Sequence, residues 1–277
     1  MRSAQTMIHF FCALPCEANP LIQHFKLTEL KQFDLFPLYQ SKDKQFTLTI
    51  TGIGKLNAAS AVSYLHACFN TKISDIWLNI GVAGHENLDI GEVRLINKIT
   101  DEQDNTSWYP QIIFDAPCQQ ASLITLDKPS TEYQKTLFDM EASGFYQMAT
   151  RLGTAELIHC LKIISDNTQQ PTHTVNAESV KKLIAAQTET IETIVELLVS
   201  QATEMVFINT IPPNYATLIE RWHFTQTEQI QLLRLLRQWT VRFPDKDIVE
   251  SVTKQKTGKT ILNTLQNYLN ETPFSIY

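Results

Sequence analysis

Residues 46–69 read FTLTITGIGKLNAASAVSYLHACF, and three patterns succeed one another in that stretch. FTLTI (46–50) is short, apolar and β-favouring, as a buried strand is. The glycines of TGIGK (51–55) mark a tight turn that leaves backbone N–H groups open to a ligand. LNAASAVSYLHACF (56–69) then has helical spacing. The alternation continues outward through DIWLNIGVAG (75–84), VRLINKI (93–99) and SLITL (122–126), a helix around Glu141 to Thr150, and a strand that stops on Asp166. Short apolar runs alternating with helical segments predict an α/β fold with a largely parallel or mixed sheet covered by helices.

The flanks complete the frame. Arg2 and the apolar run Met7 to Leu14 imitate a short signal peptide, but the run leads into Glu17 rather than a small-residue cleavage site, so it reads as a first buried strand. After Asp166, the cap Asn176 predicts a long helix with Val180, Leu183, Ile184, Ile191, Ile194, Val195 and Leu198 as its apolar stripe. From about residue 203 the character changes. IPPNY (211–215) punctuates, and Thr225 with Glu228 forms a capping-box pattern ahead of IQLLRLLRQW, predicting a helix to about Trp239. The expected organisation is a catalytic domain over 1–202 and a helical accessory subdomain over 203–277.

Composition narrows the function. With 277 residues, 43% hydrophobic and 19% charged, the chain has room for one α/β domain and an appendage. A net charge of -6 argues against a phosphate-backbone footprint, so no nucleic-acid partner is expected. No segment approaches the roughly 20 apolar residues of a membrane span. Cys12, Cys16, Cys68, Cys118 and Cys160 are odd in number and scattered, which suggests reduced thiols in a cytoplasmic protein and neither a disulfide framework nor a metal site.

Three carboxylates stand at comparable places: Glu17 after the first strand, Glu141 entering a helix in FDMEASG, and Asp166 after IIS. Singly, each has a plain structural explanation, as a helix-start acid or a turn former. Open α/β sheets gather their sites at the carboxyl ends of strands. Three acids at one rim therefore suggest chemistry.

ALPCEANPL, TGIGKLNAA, GVAG, DMEASG and IISD, in that order over residues 7 to about 200, resemble the nucleoside phosphorylase/nucleosidase superfamily, most of all its methylthioadenosine/S-adenosylhomocysteine nucleosidases. The resemblance implies a three-layer α/β/α sandwich with a central mixed sheet, no cofactor, and a purine nucleoside as substrate. Asp166 would protonate or hydrogen-bond purine N7, oriented by Ser165; burial or neighbouring acids would have to favour its neutral form. Glu141 would grip the ribose hydroxyls with Met140 beneath the sugar, and Glu17 would position the attacking water. Val82 and Gly84 belong to the segment lining the site. Val82 stands where the family usually carries a hydroxyl, His85 where glycine is usual and Lys162 where arginine is common. The segment between Asp127 and Asp139, which normally helps to frame the purine, is short.

Phosphorolysis needs cations around an oxyanion, and apart from Arg2 the first 80 residues hold no arginine, so hydrolysis is favoured. The alternatives are a purine nucleoside phosphorylase and a non-catalytic nucleoside-binding scaffold. The short frame also leaves open a different 5′-modified nucleoside, as in the futalosine or adenosylhopane branches. Finally, DEQDNTSWYPQ (101–111) matches the family loop that crosses a dimer interface. The resemblance thus implies a homodimer in which Trp108 and Tyr109 shield the neighbouring site.

Overall fold

The computed structural model describes residues 6–209, 211–243 and 246–271, which fall into two compact units, Met1–Glu204 and Met205–Tyr277. The first unit is built on a mixed sheet of β1 (Ile8–Cys12), β2 (Thr28–Glu29), β3 (Leu38–Gln40), β4 (Phe46–Ile50), β5 (Ile76–Gly84), β6 (Val93–Asp101), β7 (Ser107–Trp108), β8 (Gln119–Thr125), β9 (Leu137–Asp139) and β10 (Ile158–Asp166). Its helices are α1 (Pro15–His24), α2 (Lys55–Phe69), α3 (Ala142–Ala149), α4 (Ala177–Ala186) and, as far as Glu204, α5 (Thr188–Asn209).

Successive strand residues point to opposite faces, and β1 shows both layers at once. Phe10 meets Phe25, at the end of α1, with ring centroids 5.0 Å apart, while Phe11 meets Phe145 of α3 at 5.3 Å. The α2–α3 layer closes over Phe11, Trp77, Ile96, Leu123 and Ile164 in one continuous core. With both faces covered, β5 and β10 have no need of alternation, and nearly every residue in them is buried.

The register explains how distant residues converge. β1 runs parallel to β4 and β5, and β5 parallel to β10. β10 turns antiparallel onto β6, β6 leads through β8 to β9, and Gly84 of β5 pairs with Phe138 of β9, closing a ring of five strands. The carboxyl ends of β1, β4, β5 and β10 share one rim, and β9 reaches it from the opposite direction.

One expectation is corrected. Asn176 caps α4 as the sequence suggests, accepting the Ser179 N–H at 2.9 Å, but the long helix is two helices broken at Gln187. The Gln187 N–H bonds back three residues to Ile184, tightening the last turn, and its side-chain amide donates to the Gly91 carbonyl at 3.0 Å.

The second unit contains α6 (Tyr215–Arg221), α7 (Gln226–Arg242), α8 (Ile248–Val252) and α9 (Gly258–Glu271) around its own core, with Leu232, Leu236, Trp239, Ile261 and Leu265 at the centre. Thr225 caps α7 and accepts the Glu228 N–H, and the helix continues three residues past Trp239 to Arg242. Among the described residues no helix is long and apolar enough to cross a membrane.

Candidate active site

A cavity of about 250 Å³ opens at the shared rim, and Glu17, Val82, Gly84, Met140, Glu141, Ser165 and Asp166 all line it. Trp108 and Tyr109 do not. Trp108 sits half-buried against the α2–α3 core of its own chain, and Tyr109 is 58% exposed.

Glu17 lies in the first turn of α1 and is almost wholly buried. Its Oε2 accepts the Leu14 N–H at 2.9 Å and its Oε1 the Val82 N–H at 3.0 Å. Val82 therefore contributes a backbone donor where the hydroxyl is missing. Burial raises the Glu17 carboxyl above its ordinary range, opposed by the Lys162 cation and by backbone donors. The result is a stronger base than a free carboxylate, held in one orientation.

Glu141 occupies the N-cap position of α3, and its Oε1 accepts the Gly54 N–H at 2.8 Å. The TGIGK turn thus spends a backbone donor on a protein carboxylate 87 residues away rather than on a ligand. Gly54 reaches that pose at φ +103°, in the region that favours glycine. Burial first, then the neighbouring Asp139 charge, pushes the Glu141 carboxyl up to about 7.

Asp166 ends β10, and three hydroxyls bond to its carboxyl group. Ser165 donates to Oδ1 at 2.5 Å; Tyr133 and Thr172 donate to Oδ2 at 2.9 and 2.5 Å. Tyr133 comes from the short segment, which also delivers Lys128, Pro129 and Ser130 to the cavity wall. That segment frames the site despite its length. Asn167 has a turn-forming role, accepting the N–H groups of Gln169 and Gln170.

Two further residues are less evident from the sequence. Asp139 and Lys162 form an ion pair of 2.8 Å beneath the cavity. Asp139 also accepts the Thr125 hydroxyl and the Ala142 N–H, both at 2.9 Å. A lone cation inside the apolar run LKIIS is the signal available, because a buried charge requires a partner. Among the described residues no cluster of His, Cys, Asp and Glu is placed to hold a metal ion.

No family model and no curated protein sequence matches the chain. Solved structures do. The chain is similar to the Arabidopsis thaliana 5′-methylthioadenosine nucleosidase in apo form, at a TM-score of 0.59 and 18% identity, covering 71% of this chain and 97% of that one. It is also similar to the Helicobacter pylori 5′-methylthioadenosine/S-adenosylhomocysteine nucleosidase with butyl-thio-DADMe-Immucillin-A, at 0.57 and 12%, covering 70% and 99%. The fold is that of the methylthioadenosine nucleosidases. A futalosine hydrolase mutant of Helicobacter pylori shares this nucleosidase fold, at 0.52 and 12% identity over 69% of this chain and 99% of that one.

Proposed function

We propose that the first unit is a purine nucleosidase that hydrolyses the N-glycosidic bond of a nucleoside with a modified 5′ group. One observation carries this reading: Glu17, Glu141 and Asp166, from three separate parts of the chain, line one cavity. Asp166, which accepts three hydroxyl bonds in the free site, has to enter the reaction protonated; its proton then passes to purine N7, so that the electron pair of the C1′–N9 bond leaves with the base. The sugar passes through an oxocarbenium-like state. Glu141, bonded to the ribose hydroxyls, and the other carboxylates of the rim stabilise that positive charge. Water held by Glu17 adds to C1′, and Glu17 takes its proton.

Hydrolysis is preferred to phosphorolysis because no arginine lines the cavity, Lys162 is already neutralised by Asp139, and Lys128 is a single cation in the wall where an oxyanion needs several. The neighbours named for methylthioadenosine and futalosine support a 5′-modified purine nucleoside. In this reading the active species is a cytoplasmic homodimer, with Trp108 and Tyr109 shielding the partner's site. Ile53 and Leu56, 51% and 80% exposed beside the cavity, and exposed Tyr109 supply apolar surface for such an interface. The 1–202 region is the catalytic domain and the remaining helices an accessory subdomain.

The deciding experiment incubates the full chain with a panel of purine nucleosides, with and without phosphate, and measures free base. The expected result is base release with free sugar at a rate indifferent to phosphate. Formation of a sugar 1-phosphate would make it a phosphorylase, and no base release from any nucleoside would leave a binding module.

A further inference from the structure

The second unit has its own core, and the chemistry above uses none of it. Within it, α8 and α9 are joined by five residues, TKQKT (253–257), and α7 packs along α9. The connection is pinned. Trp222 Nε1 donates to the Gln255 carbonyl at 3.0 Å. A Cβ on Gly258 would lie 2.5 Å from the His223 carbonyl oxygen and 2.7 Å from Phe224 Cδ1, so α9 begins at a close approach that only glycine permits. Thr257 and Thr260 each donate the backbone N–H to the other's hydroxyl oxygen, at 3.2 and 3.3 Å, across its first turn. A five-residue helix, a five-residue connection and a second helix packed against α7 follow the order of a helix-turn-helix, whose second helix can enter the major groove of DNA.

The two faces of α9 differ in chemistry. Ile261, Leu262, Leu265 and Leu269 are buried, whereas Lys259, Thr260, Asn263, Asn267 and Asn270 are exposed. At roughly 100° per residue the exposed five fall within an arc of about 100°. Lysine, threonine and asparagine are residues that hydrogen-bond to base edges. From Ser251 to Asn270 the chain carries Lys254, Lys256 and Lys259 and no acid, and all three lysines are exposed. The flanking acids are Asp247, which caps α8, Glu250 on α8, Glu228, whose carboxylate is bonded to Thr225, and Glu271, exposed at the last residue of α9 and so away from its lysine-bearing start.

Net charge had argued against nucleic acid, but the two units differ. Residues 1–204 carry 15 Lys and Arg against 23 Asp and Glu, a charge of -8; residues 205–277 carry 8 against 6, a charge of +2. We propose that the second unit binds duplex DNA, with α9 in the major groove and Lys254, Lys256 and Lys259 on phosphates. Double-stranded RNA does not fit, because its major groove is too narrow for a helix.

The test uses the full chain and a fluorescently labelled, random-sequence DNA duplex of roughly 20 bp, about two helical turns, followed by anisotropy. Binding is expected at about 50 mM salt and should weaken about 40-fold at about 200 mM, as three phosphate contacts imply. Combining Lys254→Ala, Lys256→Ala and Lys259→Ala should lower the slope of log affinity against log salt by about 3. Circular dichroism verifies the fold of that variant, and Lys254→Ala alone, expected to lower the slope by about 1, serves if the triple does not fold. The proposal is overturned by no binding at low salt, by lysine variants that bind like the wild type, or by tighter binding to duplex RNA of equal length. The readout does not depend on base release, so it stands or falls separately from the nucleosidase reading.

Discussion

Lys162 Nζ lies 2.8 Å from Asp139 Oδ2, and the two side chains are 1% and 0% exposed. Burial alone would lower the Lys162 ammonium, but the carboxylates of Asp139 and Glu141 overcome it and hold it above its ordinary value. The Lys162 ammonium thus keeps its charge beside Asp139, near a rim that carries Glu17 and Glu141. Lys162→Met removes the cation facing the buried Asp139 side chain, and should cost about 3–5 kcal/mol. Adding Asp139→Asn should recover part of that loss. Thermal melts of the single and double variants measure both, and a single variant as stable as wild type would refute the pairing.

Glu141 predicts a pH dependence of opposite sign for stability and activity. Its carboxyl titrates at about 7 in the fold against an ordinary 4.5. Below the ordinary value both folded and unfolded chains carry the neutral acid, and there is no penalty. As pH rises toward 7 the unfolded chain releases its proton first, so stability falls across that window and levels off above it. Glu141→Gln, still able to accept from Gly54, should raise the melting temperature at pH 8 and leave it unchanged near pH 4. Base release should instead rise with pH through about 7, as the anion becomes available to the ribose hydroxyls. A melting curve for Glu141→Gln parallel to wild type at every pH would contradict the burial argument.

Asp166→Asn should keep the fold, since an amide can still accept from Tyr133 and Thr172, and should slow base release by about 10²–10⁴-fold. Glu17→Gln should spare nucleoside binding and slow turnover by a similar factor. Steady-state kinetics and equilibrium binding separate the two. Equal losses of binding and turnover in Glu17→Gln would mark that residue as a substrate contact rather than a base.

Much of the frame was legible because strands that stop on acids mark the rim of an α/β sheet. Glu17 follows the apolar run of β1, Glu141 stands two residues after β9 and Asp166 ends β10, and each reaches the cavity. What was hidden depends on register and on distant partners. Lys162 lies opposite Gly81 on β5, and its contact with Asp139 exists only because β9 closes the ring of strands. Tyr133 and Thr172 sit on connections without periodicity, so nothing in their spacing announces that they meet at Asp166. The break at Gln187 is enforced by a bond to Gly91, 96 residues away. The opposite sign of the two units, by contrast, is counted directly from the sequence, a mildly basic tail against an acidic body.

Gly81 shows how closely the base is fitted. A Cβ built there would lie 2.8 Å from Glu17 Oε1 and 3.5 Å from Lys162 Nζ. The first distance is shorter than any ordinary carbon contact, and the Glu17 carboxylate is held by two backbone donors that do not move with it. Gly81→Ala must therefore displace the carboxylate from the Val82 N–H, or push β1 from β5. Met140 and Glu141 are untouched by that shift, so nucleoside binding should persist. A base misplaced by about 1 Å is expected to lower kcat by about 100-fold with little change in KM. Full turnover by a folded Gly81→Ala chain would show that Glu17 does not need this position, and would remove it from the reaction.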